Sequence, residues 1–328
     1  MDARPLNRLE VLKGIAIVIF MFYHFRVLAM GDPAEGGSYG RAAVGLFFLI
    51  SGFGLNHSLA RRLGTGQPLV SALLIFWRDR AVRVYPQYWM AAALTFLVYG
   101  LAYAWWQWLG VDSPYWFISQ VLQCYLAAPL LYAVSRSGRT AVRWLPLAVF
   151  AGVNAWAYGL HGEVSAQGVP GQLAYQRMLL THVVLFYLGM LWAQREAGPK
   201  RGGAMTGLLL AAGFAALMVA CTRPAGAALS VVSALGFLAA SFVMFAGFLR
   251  LDGLFPGCRL LAFLGTYSLS IYLFEPFYYF ALYRLRLLEV HSWTNVPWFL
   301  GALPLFVGVC VVIQKAQDAA LRKAWPRS

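Results

Sequence analysis

Again and again along this chain, a run of apolar residues about 20 long gives way to a short connection rich in arginine. A helix of that length crosses the hydrocarbon core of a bilayer. Ten such runs can be marked, at 9–30, 42–59, 84–106, 115–134, 141–160, 178–192, 205–221, 227–248, 260–282 and 296–313. They predict an all-α polytopic membrane protein, a bundle of about ten transmembrane helices forming one domain over residues 1–328. Composition agrees: 61% of the residues are hydrophobic and 12% are charged, about half the charged fraction of a soluble domain. The net charge of +14 would admit a nucleic-acid partner in a soluble protein. Here the basic residues cluster between apolar runs, so the expected partner is the lipid bilayer and no nucleic acid.

The same clusters orient the bundle. Apart from Lys13, Arg26 and Arg143, the last at the start of the run 141–160, every lysine and arginine falls in a connection or a tail. With ten spans, only Arg41, Arg177, Arg223, Arg284 and Arg286 lie on one side, and all the others share the side of the two tails. Both termini are therefore expected in the cytoplasm. Two connections are long. Residues 60–83 contain an apolar piece, 69–77, too short to span and readable as an interfacial or re-entrant helix. Residues 161–177 face outward, as part of an acceptor site or as a plain surface loop. The first run is read as an uncleaved helix. Cys124, Cys221, Cys258 and Cys310 show neither metal-ligand spacing nor a disulfide framework, and no metal site is expected.

The first run carries Lys13, His24 and Arg26. Ionisable groups inside a membrane are costly and tend to face a protein interior or a water-filled cavity. Lys13 and His24 are eleven residues apart, which places them within about 20° on one helix face and about 16 Å apart along the axis. That spacing fits a groove with a cation at its mouth and an imidazole deeper in. It equally fits a Lys13 that reaches the headgroups and a His24 hydrogen-bonded within the bundle.

Five segments carry a resemblance. LEVLKGIAIVIFMFYHF holds Glu10, Gly14, Ile15, Ala16 and His24. VGLFFLISGF holds Phe47, Phe48, Ser51 and Gly52. RAVRVYP holds Arg80, Arg83, Tyr85 and Pro86. WFIS, with Tyr125 beyond it, opens at Trp116. LGTYSLSIYLFEP ends on Glu275 and Pro276. Together, over about residues 7–315, they resemble membrane acyltransferase family 3, whose members O-acylate sugars and related compounds. The chain departs from the family's pattern twice. Lys13 stands where the family has arginine, and Glu275 where it commonly has histidine.

The resemblance implies an acyltransferase in the bacterial inner (plasma) membrane. It would move an acyl group, most simply acetyl, from cytoplasmic acyl-CoA to a hydroxyl of a sugar or glycan. No cofactor is expected to stay bound; acetyl-CoA or another acyl-CoA is the donor substrate. Such a transfer needs a base for the hydroxyl proton. His24 is the candidate, because imidazole titrates near neutral pH, with Lys13 adding a point charge. Arg80 and Arg83 are candidates for the donor's phosphates, although anchoring a helix end would explain either one. Ser51 offers a hydroxyl to the groove, although Ser-Gly in a span also serves close packing. His24 lies fifteen residues after Leu9 and Glu275 fifteen after Leu260, so each sits about 22 Å above its helix start. Glu275 is therefore expected to face His24 and orient it; its rival partner is Arg26. Two other readings stay open: a transporter or flippase for a lipid-linked sugar, and an inactive relative serving as a scaffold. Monomer and homodimer are both compatible with the sequence.

Overall fold

The computed structural model describes residues 8–29, 33–111, 113–165, 179–194, 258–289, 292 and 294–324. Among them no strand occurs, and the secondary structure is helical throughout. The helices are α1 (Arg8–Ala29), α2 (Pro33–Leu63), α3 (Leu69–Tyr99), α4 (Trp105–Trp108), α5 (Trp116–Ser135), α6 (Thr140–Ser165), α7 (Leu179–Ala193), α8 (Cys258–Thr266), α9 (Ser268–Arg284) and α10 (Asn295–Ala324). Four stretches are long and apolar enough to cross a membrane: Arg8–Leu28, Ala43–Leu63, Trp116–Ser135 and Asn295–Ala324. The pair α8 and α9 makes a fifth if taken as one span. The expected spans 205–221 and 227–248, and most of the outward connection 161–177, lie outside the described residues. Large apolar side chains such as Leu97, Leu126, Leu130, Leu305 and Val312 are exposed, as a lipid-facing surface requires.

Three expectations are corrected. The apolar piece 69–77 is not a separate interfacial helix; it is the start of α3. Neither proline nor glycine interrupts residues 69–85, and Pro86 sits inside the helix. Proline gives no N–H to the carbonyl four residues back, here that of Val82. Gln317 Nε2 donates to that carbonyl instead, at 3.2 Å, and also meets the Arg83 carbonyl at 3.3 Å. The span expected to run to residue 106 stops at Tyr99, where Gly100 takes a φ of +68°. Glycine adopts that left-handed conformation without strain and closes helices there. Finally, the single span 260–282 is broken: α8 and α9 meet at 79°. Gln314 Nε2 donates to the Thr266 carbonyl at the break, at 3.1 Å.

The chain divides into two compact units. One comprises residues 1–40, 81–104 and 255–328, and holds α1, most of α3 and α8–α10. Its center is the crossing of α1 and α8. A Cβ on Gly14 would collide with the Leu261 carbonyl, and one on Gly265 with the Glu10 carbonyl. The two backbones therefore touch, which small residues alone permit. On the other flank of the unit, Tyr278 of α9 stacks on Phe306 of α10 at 4.7 Å and donates its hydroxyl to the Phe299 carbonyl.

The other unit comprises residues 41–80 and 105–254, with most of α2, the start of α3 and α4–α7. Its crossing is made the same way. A Cβ on Gly52 of α2 would meet the Phe186 carbonyl, and one on Gly189 of α7 the Leu49 carbonyl. Trp77 Nε1 ties α3 to α5 by donating to the Tyr125 carbonyl at 3.1 Å.

Candidate active site

In the first unit, the C-terminal half of α1 is aromatic, with Phe20, Tyr23 and Phe25 around His24. Phe20 lies one turn before His24 and meets its ring edge-on, at 4.3 Å between centroids; Tyr23 flanks it at 5.0 Å. Those contacts fix the plane of the imidazole. Its Nδ1 lies 2.5 Å from Glu275 Oε2 of α9. The two partners differ in exposure: the side chain is 30% exposed for His24 and 1% for Glu275. A carboxylate removed from water needs a partner, and the structure supplies His24, with the Tyr279 hydroxyl also beside the carboxyl group. The other oxygen, Oε1, is buried without a hydrogen bond. The neighbouring Tyr279 sends its proton to the Met21 carbonyl, at 2.9 Å. That bond and the one from Tyr283 to the Leu28 carbonyl, at 2.5 Å, clamp α9 against α1 on either side of the pair.

The geometry sorts the two ring nitrogens. With Nδ1–H donating to the carboxylate, Nε2 carries the lone pair on the side of the ring away from Glu275. An imidazole held in that way can accept a proton at Nε2, and the buried carboxylate stabilises the resulting cation. The two residues meet even though the helix bearing Glu275 does not run straight from Leu260. The break at Tyr267 removes the basis for equal depths, and the contact is set by α9 alone.

The remaining candidates lie elsewhere. Lys13 is paired with Glu10, one turn away on α1, at 2.8 Å, about 16 Å along the helix from His24. Arg80 donates to Ser58 Oγ at 3.0 Å and stands over the Phe76 ring at 5.5 Å. Arg83 is exposed. Ser51 is half-buried beside Gly52, and it is the glycine that provides the close approach to α7. Among the described residues no group of three or more His, Cys, Asp or Glu is arranged to hold a metal ion.

Two polar groups in the second unit were not singled out from the sequence. His182 Nδ1 lies 2.6 Å from Gln120 Oε1, and both residues are buried. Gln194 Oε1 accepts from Arg143 Nη2 at 3.0 Å, while its Nε2 donates to Ser135 Oγ at 2.5 Å. The signal that could have found the first was available: a histidine and a glutamine inside apolar runs, where each polar group demands a partner.

The sequence model of acyltransferase family 3, described as an acyltransferase domain, matches residues 6–315. No curated protein and no solved structure matches the chain.

Proposed function

This chain belongs to acyltransferase family 3, and from that premise we propose that it O-acylates a sugar or glycan hydroxyl, drawing an acetyl or other acyl group from acyl-CoA. The observation that carries the reading is the bond between His24 and the buried Glu275. His24 Nε2 takes the proton from the acceptor hydroxyl as its oxygen attacks the thioester carbonyl. Glu275 holds the ring and offsets the charge of the imidazolium. Collapse of the tetrahedral intermediate breaks the carbon–sulfur bond. The leaving CoA thiolate receives the proton from Nε2, so the base returns to its starting state.

In this reading the bundle has ten spans as a single domain in a bacterial inner membrane, with both termini cytoplasmic. Arg80 and Arg83 meet the phosphates of the donor at the cytoplasmic mouth. Ser51 contributes a hydroxyl to the donor's path. Lys13, with Glu10, sets the charge at the entrance to the groove rather than moving a proton.

The test is consumption of labelled acetyl-CoA by the purified chain in nanodiscs, with a panel of sugar acceptors. The reading predicts acceptor-dependent release of CoA that is lost in His24→Ala. A second reading, movement of a lipid-linked sugar, draws on one observation, the 79° break between α8 and α9. Transporters place broken helices at their substrate sites, but in repeated pairs. Transfer of the sugar across vesicles without CoA release would favour it.

A further inference from the structure

The second unit holds two buried donors that the reading above leaves unused. Gln120 of α5 is fully buried. Its Oε1 is engaged by His182 Nδ1, and its amide Nε2 has no hydrogen-bond partner. A buried amide nitrogen left unsatisfied is costly, so a site that keeps one calls for an acceptor. The surroundings are aromatic. Phe48 stacks on the His182 ring at 4.8 Å, Trp116 lies 5.8 Å from it, and Phe117 packs on Phe48 at 5.3 Å. Trp116, one turn before Gln120, is only partly buried, so the cluster opens on its side.

The second donor is Arg143 of α6. Its Nη2 is held by the neutral Gln194 Oε1, and its Nε is buried without a hydrogen bond. Among the described residues no carboxylate pairs with it. A guanidinium oriented by a neutral group retains its charge for an anion. The donors are tied to the two ends of α7, through His182 near its start and Gln194 just beyond its last residue. Those residues are twelve positions apart, about 18 Å along the helix.

A single chemical class fits both ends. Arginine suits a phosphate; a carboxamide N–H among aromatic rings suits a carbonyl that carries a small apolar group. A phosphate and an acyl carbonyl joined by an arm of that order describe the acyl thioester of coenzyme A. We infer that α5, α6 and α7 contribute to the acyl-donor site, in which Arg143 takes one phosphate of acyl-CoA and Gln120 takes the thioester carbonyl. The assignment rests on the acyl-CoA reading proposed above and gives it a place in the second unit.

The test compares two ligands that differ by the carbonyl. Equilibrium binding of acetyl-CoA and of free CoA is measured on the full-length protein in nanodiscs. The wild type should prefer acetyl-CoA. Gln120→Ala should weaken acetyl-CoA by about tenfold and leave CoA unchanged, so the preference vanishes. Gln120→Met, which removes the amide but keeps the volume, should do the same and guards against a variant that fails to insert. Arg143→Gln should weaken both ligands by about tenfold or more and flatten their salt dependence. A Gln120 variant that keeps the wild-type preference, or that weakens both ligands equally, overturns the assignment, as does Arg143→Gln with both affinities intact. A wild type that binds neither ligand removes the acyl-CoA premise itself, which is a different outcome from retained preference in the variants.

Discussion

His24 with Glu275 and His182 with Gln120 are two versions of one arrangement. Each histidine points Nδ1 at a side-chain oxygen on another helix, at 2.5 Å and 2.6 Å. Each ring is flanked by two aromatic side chains. Beneath each lies a helix crossing made by two reciprocal glycines, Gly14 with Gly265 and Gly52 with Gly189. One atom group differs. Glu275 can carry a charge and Gln120 cannot, so the first pair can stabilise a proton gained by the ring while the second can only hold the ring in place. Exposure follows the same division: the His24 side chain is 30% exposed and His182 is 7% exposed. Like scaffolds thus hold a titratable pair in one unit and a pair with a neutral amide in the other.

The contrast breaks most readily at the histidines. His24→Ala is expected to lower kcat for acetyl transfer by about 10²–10⁴-fold, followed by release of labelled CoA. His182→Ala is expected to raise KM for the donor more than it lowers kcat. Equal losses of kcat in both would erase the distinction. The glycine crossings come next in size. Gly14→Ala and Gly52→Ala each push a Cβ into the backbone of the partner helix, and each should cost about 1–3 kcal/mol in thermal unfolding of the protein in detergent. Comparable losses sharpen the claim that both units use one device; a tolerated substitution in either unit breaks it. The smallest effect belongs to Gln317→Ala, which leaves the Val82 carbonyl at Pro86 without its donor. A loss of about 0.5–1.5 kcal/mol is expected, with acetyl transfer unchanged.

Helices and their apolar character were legible because few charges interrupt the runs, and runs such as 115–134 reappear almost unchanged as α5. His24 and Glu275 stood out for the converse reason, as titratable groups where none is comfortable. The break at Tyr267 was hidden: LGTYSLS contains no proline and no charge, and Gly265 there serves the contact with α1 rather than announcing a bend. The continuity of α3 was hidden by its arginines, which suggested a surface segment ending before the span. Gln120 and His182 went unremarked because a neutral pair in an apolar run looks like packing until the second atom of the amide is found without a partner.

The most direct test turns the first pair into a copy of the second. Glu275→Gln preserves the shape and an oxygen for His24 Nδ1 while removing the charge. The chain should insert and bind acetyl-CoA as the wild type does, and its kcat should fall by about 10²-fold or more. A Glu275→Gln protein that turns over acetyl-CoA at the wild-type rate would contradict the account, because the carboxylate would then play no part in carrying the proton.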